Sequence, residues 1–273
     1  MSRKGYIQDF EKQVNFLKSR NKTFSVEMAG MTRIIYYHDA DGNVTSKNIY
    51  YGHKGMPRME GVELVNLLRK ELRKRIENGE EAPKYIQGSS VLGFHIPNLE
   101  KVAGHKEVIT EIDMNACYWT TAYRLGFISE ELFQKGWKKR RTAKIGLLAA
   151  IGSLNKKTYT EDYRFGKSGG VERCAKDDMF RPYYWSVITE VNRIMHESIK
   201  KIPPHHFLMW LTDCIYLKKE SAPLIKDYFK ELGYEFKEHT SHIDAVSDRT
   251  IKWTCHKDNS NKYVFYSDRE RIK

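Results

Sequence analysis

Two short apolar runs, Phe207-Leu208-Met209-Trp210-Leu211 and Cys214-Ile215-Tyr216-Leu217, are separated only by Thr212-Asp213. Each run is too short for an ordinary helix, and a two-residue polar step between them predicts an antiparallel hairpin. Asp213 then interrupts an otherwise apolar unit. A carboxylate in that setting is costly unless it is paired, solvated or metal-bound.

The text around this hairpin fixes the fold class. A helix is expected from Ser221 through Leu224, Tyr228 and Leu232 to Gly233, followed by a strand at Tyr234-Glu235-Phe236-Lys237. Sheet, helix and sheet again is the order of an α+β fold, an antiparallel sheet with helices on one face. A further hairpin is expected over 251–255 and 262–266, and a long helix over 178–200, ending at Pro203-Pro204. Its buried stripe would be Trp185, Ile188, Val191, Met195 and Ile199. Nearer the N-terminus, the sequence predicts a peripheral helix through Phe10, Val14 and Leu17. A hairpin around Asp39-Ala40-Asp41-Gly42-Asn43 and a helix over 60–77 follow. A second hairpin is expected to pair 91–96 with 107–113, and the Gly-rich, charged stretch 160–176 reads as a loop.

Asp113 closes the strand Glu107-Val108-Ile109-Thr110-Glu111-Ile112, with a helix expected from there to about Arg124. An acid exposed at a sheet edge among buried neighbours is placed as a metal-binding carboxylate must be. Read alone, Asp113 serves equally as a helix cap and Asp213 as a turn residue. The segment from Lys135 to Lys144 adds six basic residues in ten with no acid: Lys135, Lys138, Lys139, Arg140, Arg141 and Lys144. It runs straight into an apolar helix anchored by Leu147, Leu148 and Ile151, which favours phosphate binding over a free localisation signal. Two carboxylates with a lysine on a basic helix supply what phosphoryl transfer needs, namely ligands for divalent ions and a cation for the phosphates.

Lys and Arg number 47 against 35 Asp and Glu, a net charge of +12, which concentrates polyanions near the protein. Nucleic acid is therefore the expected partner. The chain has no 18-residue apolar run, so no membrane partner is expected. The opening MSRKGYIQDFEK lacks the apolar core of a secretory signal. Cys117, Cys174, Cys214 and Cys255 are far apart and form no CxxC pair, so a reducing, cytoplasmic setting is expected.

The order of these features resembles the catalytic core of family B DNA polymerases. Their first motif, Asp-x-x-Ser-Leu-Tyr after an apolar strand, is matched at Asp113 and Tyr118 in Asp113-Met114-Asn115-Ala116-Cys117-Tyr118. Their second, Lys-x-x-x-Asn-Ser-x-Tyr-Gly, keeps its first and last residues in Lys144-Ile145-Gly146-Leu147-Leu148-Ala149-Ala150-Ile151-Gly152. Leu148 and Ile151 stand where that family has asparagine and tyrosine. The third, Tyr-x-Asp-Thr-Asp-Ser, keeps its Thr-Asp step in Met209-Trp210-Leu211-Thr212-Asp213-Cys214.

The resemblance implies a polymerase-like palm at 110–134 and 177–273, a small fingers-like basic segment at 135–176 and an α+β accessory region at 1–109. It implies transfer of deoxynucleoside triphosphates to a primer-template 3′-hydroxyl, with Asp113 and Asp213 holding two Mg²⁺ ions, or Mn²⁺ in their place. It assigns Lys144 to the triphosphate, aided by Arg140 and Arg141, and Tyr118 to the face of the sugar. Trp137, Lys138 and Lys139, with Lys252 and Lys262, are the candidate nucleic-acid contacts. Two alternatives stay open: a catalytically silent polymerase-derived binding protein, and a different two-metal transferase or nuclease that enlists Glu111 or Asp178.

Overall fold

The computed structural model of the protein describes residues 2–29, 32–51, 62–85, 94–140, 144–247 and 250–265. In chain order the first elements are β1 (Ser2–Gly5), α1 (Ile7–Ser19), β2 (Phe24–Ala29), β3 (Thr32–His38), β4 (Val44–Tyr51) and α2 (Val62–Glu77). Next come β5 (Phe94–His95), α3 (Leu99–Gly104), β6 (Ile109–Met114), α4 (Cys117–Arg124), α5 (Glu130–Lys138) and α6 (Lys144–Gly152). The chain continues through β7 (Thr158–Arg164), β8 (Lys167–Cys174), α7 (Arg181–Ile199), β9 (Phe207–Leu211) and β10 (Cys214–Lys218). It closes with α8 (Ala222–Glu231), β11 (Phe236–Val246), β12 (Thr250–Cys255) and β13 (Ser260–Phe265). The fold is α+β.

Two compact units share these elements: Met1–Pro83 with Glu130–Tyr184, and Lys84–Ser129 with Trp185–Lys273. In the first unit the sheet order is β1-β4-β3-β2-β7-β8, antiparallel except for the parallel β1–β4 pair. Val14 and Leu17 of α1 pack on Phe24, Val26, Ile35, Tyr50 and Tyr163. Each such burial contributes roughly 1.5–3 kcal/mol, so one apolar stripe suffices to seat the helix. Leu64, Leu68 and Leu72 form the buried stripe of α2.

Residues 160–176 are not a loop. β7 and β8 form a hairpin that turns at Phe165 and Gly166, with φ of 51° and 76°. Two consecutive left-handed residues are the backbone of a type I′ turn, whose twist matches that of paired strands. The sequence hid β8 because nearly every residue in it is exposed, which leaves no apolar alternation to read. Since β7 pairs with β2, this hairpin belongs with the N-terminal sheet and not with a separate fingers-like segment.

The second unit holds a sheet of order β13-β12-β11-β6-β10-β9-β5, antiparallel throughout. Residues 91–93 of the hairpin expected between 91–96 and 107–113 lie outside the described residues, and the described part does not pair that way. β5 pairs with β9, and β6 lies between β10 and β11. Asn98 explains the divergence: its side chain accepts from the Lys101 amide at 2.8 Å and starts α3 where a plain turn was expected. Residues 94–109 therefore belong with this sheet rather than with an N-terminal accessory region. On one face Ile112, Met114, Ile215 and Leu217 meet Val191, Ile194 and Met195 of α7 and Ile225 and Phe229 of α8. The other face carries Ile109, Cys214, Tyr216, Ile251 and Trp253, with Val102 of α3 packed among them. The long helices thus share one face, and only the short α3 adds cover to the other.

Candidate active site

Asp113 lies one residue from the end of β6, the middle strand of the sheet, and pairs with Cys214 of β10. Asp213 immediately precedes Cys214, and its carbonyl oxygen accepts from the Met114 amide at 3.1 Å. Paired Cα atoms are about 5 Å apart and the rise per residue is about 3.4 Å, so the two aspartate backbones lie on the order of 6 Å apart. The structure thus brings together two acids that are a hundred residues apart in order of magnitude along the chain.

Charge near this strand end is felt by two buried thiols. Cys214 is pushed well above the usual thiol range by burial first, then by the negative charges of Asp113, Glu111 and Asp213. Cys117 is pushed up by burial and then by Asp213 and Asp113. Both stay protonated at neutral pH, so the hard donors at this strand end are carboxylate oxygens and not thiolates.

Thr212, immediately before Asp213, and Ala116, three residues after Asp113 at the N-cap of α4, are left-handed. Ala116 has φ 46° and Thr212 has φ 53°. For a β-branched residue this conformation is a genuine outlier, and such residues cost about 1–3 kcal/mol each. The Thr212 hydroxyl lies 2.9 Å from Asp213 Oδ1. The N-cap of α4 is Ala116, with no side-chain cap, so Asp113 does not serve as a helix cap. The Asn115 amide instead donates to the Glu235 carbonyl at 2.7 Å, which ties the turn after β6 to the segment preceding β11.

Glu111 shares the β6 face of Asp113, since strand side chains alternate. It is buried, accepts from the Ser241 hydroxyl, and pairs with Lys262 Nζ at 2.9 Å. Burial works against the Lys262 charge, but the hydrogen bond and attraction from Glu111 outweigh it and hold the ammonium above its ordinary pKa. Lys262, expected as a nucleic-acid contact, is instead committed to a buried partner. Lys252 is exposed on β12. The i,i+2 spacing of Glu111 and Asp113 is the sequence signal that puts both acids on one face of β6, while nothing in the sequence marks Lys262 as the partner of Glu111.

Tyr118 packs, partly buried, against the core under α7 and α8. Trp210 and Trp253 are buried, as core residues should be.

The remaining candidates belong to the first unit. Lys144 is exposed at the first position of α6, and Leu147 and Ile151 are buried. Leu148, expected as an anchor, is 48% exposed, because the buried face of this helix is narrower than its apolar text. The basic cluster is not free of acid: Glu63 of α2 meets Lys135 at 2.6 Å and Lys139 at 3.2 Å. Hydrogen bonds from those two lysines, first Lys135, hold the Glu63 carboxyl below its ordinary pKa. Lys138 is exposed. The Arg140 guanidinium lies 4.3 Å from the Trp137 ring centroid and Phe133 stacks on that ring at 5.4 Å, so Trp137 already has planar partners. Arg141 lies outside the described residues.

Sequence reading missed a polar chain on β11 and β12, in which His242 Nδ1 lies 2.8 Å from His256 Nε2 and His242 Nε2 lies 2.8 Å from Asp244. Among the described residues no three His, Cys, Asp or Glu side chains gather as a metal-ligand set. Mg²⁺ does not require one: it binds through one or two carboxylates, completed by water and substrate phosphates, which suits the Asp113–Asp213 pair. No helix among the described residues is long and apolar enough to cross a membrane. Comparison with protein-family models, curated proteins and solved structures found no match to the chain.

Proposed function

We propose that the protein catalyses metal-dependent transfer of a deoxynucleotide from its triphosphate to a nucleic-acid 3′-hydroxyl. The observation that carries this reading is the convergence of Asp113 and Asp213 at one end of adjacent central strands, with the left-handed Thr212 directly before Asp213. Backbone strain clusters where function requires a fixed geometry; Asp113 lies within β6, and Asp213 sits in the two-residue turn that joins β9 and β10.

In this reading Asp113 and Asp213 hold two Mg²⁺ or Mn²⁺ ions. When bound, such ions make the 3′-hydroxyl a better nucleophile and neutralise charge on the attacking and leaving oxygens. The carboxylates would orient the reacting groups at the ends of two central strands, so the entropy of positioning is lost on folding and not during reaction. Glu111 is paired with the Lys262 ammonium, so it adds little net charge near the two aspartates. The family resemblance assigns the triphosphate to Lys144 and the sugar face to Tyr118.

The test is extension of a labelled primer-template with each nucleotide type in Mg²⁺ or Mn²⁺, using the wild type, Asp113→Asn and Asp213→Asn. Metal-dependent extension by the wild type and its loss in both folded variants is the expected result. A wild type that binds primer-template yet extends nothing with either metal would instead identify a catalytically silent nucleic-acid-binding protein.

A further inference from the structure

Among the described residues the most exposed large apolar side chain is Phe165, at 74%, at the tip of the β7–β8 hairpin. It occupies a position that an unadorned turn would give to Asn or Gly, because its φ of 51° crowds a side chain against the backbone. A bulky ring there adds strain and buries almost nothing. Its identity is therefore unfavourable for stability on both counts, the pattern that marks residues kept for contact with something else.

The tip is rigid. The Gly166 amide donates to the Lys22 carbonyl at 3.0 Å, fixing the hairpin end to the α1–β2 turn. A Cβ on Gly166 would lie 2.5 Å from the Lys18 carbonyl oxygen, so only glycine permits this approach. The same docking gathers cations: Arg164 and Lys167 flank Phe165, Arg20 and Lys22 come from the turn it is fixed to, and Lys18, in the last turn of α1, lies 4.7 Å from the Tyr163 ring centroid. Arg20 also lies 5.7 Å from the ring centroid of Phe16, which is 52% exposed. Asp39 accepts from the amides of its own loop, Asp41 and Asn43, and Glu161 accepts from the Ser168 hydroxyl, so both carboxylates keep their charge but are held within their own hairpins.

We propose that this hairpin tip binds single-stranded nucleic acid, with an unstacked base on the Phe165 ring and phosphates on Arg164, Lys167 and the α1–β2 turn. Rigid aromatic rings among cations suit single strands because every base has a stacking face, whereas in a duplex those faces are covered. The inference shares with the proposed function only the nucleic-acid partner. It concerns a site in the first unit and needs neither metal nor nucleotide.

The experiment measures fluorescence anisotropy of a labelled oligothymidylate, a duplex of equal length and phosphatidylserine vesicles, all without metal or triphosphate. Phe165→Asn is the decisive variant, because asparagine suits the left-handed backbone and should leave the melting temperature equal or higher. Oligothymidylate affinity should fall about 5- to 150-fold, the equivalent of losing one base–aromatic stack of roughly 1–3 kcal/mol. Phe165→Trp should retain binding. The salt slope should be unchanged in Phe165→Asn but shallower by about 0.7 for each phosphate contact removed by Arg164→Gln or Lys167→Gln. Unchanged affinity in Phe165→Asn, a loss that merely follows a drop in melting temperature, or a preference for duplex or vesicles would each overturn the proposal. Because primer extension is measured separately, an active enzyme with an indifferent Phe165 would sink this inference and leave the catalytic reading standing.

Discussion

Replacing Lys262 with alanine tests whether that residue holds the sheet together or touches a ligand. Its ammonium is 2.9 Å from Glu111 Oε2, and the two side chains are 37% and 2% exposed. Breaking a fully buried pair costs about 3–5 kcal/mol, chiefly because the surviving charge is left without its partner. Solvent reaches Lys262 and screens part of the interaction, which lowers the expected cost to about 2–4 kcal/mol. At about 4 °C per kcal/mol for a unit of ordinary domain size, the melting temperature should fall roughly 8–16 °C. Thermal unfolding followed by circular dichroism at pH 7 gives the shift. The double variant Lys262→Met with Glu111→Gln removes both charges and should recover much of it. The folded-state pKa of Lys262 is raised, so its contribution is complete below its ordinary value of 10.5 and is lost only as pH climbs through the folded value. A fall of less than about 2 °C, together with a shallower salt dependence of DNA binding, would refute the structural assignment and restore Lys262 as a phosphate contact.

Lys144→Ala should lower kcat/KM for nucleotide by about 30- to 1000-fold, corresponding to roughly 2–4 kcal/mol of electrostatic stabilisation. Primer-template affinity should change far less, and equal losses in both would make Lys144 a backbone contact. Tyr118→Ala should raise ribonucleotide relative to deoxyribonucleotide incorporation in single-turnover competition, while an unchanged ratio would leave Tyr118 as core packing only. Burial is the first cause that lowers the pKa values of His95, His105 and His196 below the ordinary 6.5. Their contribution to stability is therefore complete above about pH 6.5 and is lost as pH falls through the interval down to the folded values. A denaturation series from pH 7.5 to about 5 should show that decline, and His95→Phe, in a site between Phe207 and Trp210, should reduce its slope.

How much of this was legible in the text depended on whether a segment's own residues carried the signal. The β9–β10 hairpin and the β6-to-α4 junction were readable because apolar runs stopped abruptly at an acid. The β7–β8 hairpin was not, since a strand exposed along both faces has the composition of a loop. The supposed free charge of the 135–144 cluster depended on Glu63, which enters from a distant helix, and the role of Lys262 depended on Glu111 from another strand. Periodicity reports an element's buried face; it is silent about which charges meet across elements.

That distinction bears on α6, where the resemblance to polymerases departs furthest. Lys144 and Leu148 stand four residues apart and share one side of the helix, and both are exposed, whereas Leu147 and Ile151 face inward. The helix therefore presents a cation followed one turn later by an apolar surface. On the proposed reading, the cation would meet phosphate and the leucine would offer a nascent base pair shape and dispersion, with no hydrogen bond to its edges. An apolar surface discriminates weakly between ligands of similar shape, while a buried polar group left unpaired by the wrong ligand discriminates strongly. Nucleotide choice would then rest mainly on pairing with the template. Leu148→Asn, which restores a polar group at the exposed position without disturbing Leu147 or Ile151, should change the ratio of correct to incorrect incorporation more than the rate of correct incorporation. An equal change in both rates would show that this face of α6 does not inspect the base pair.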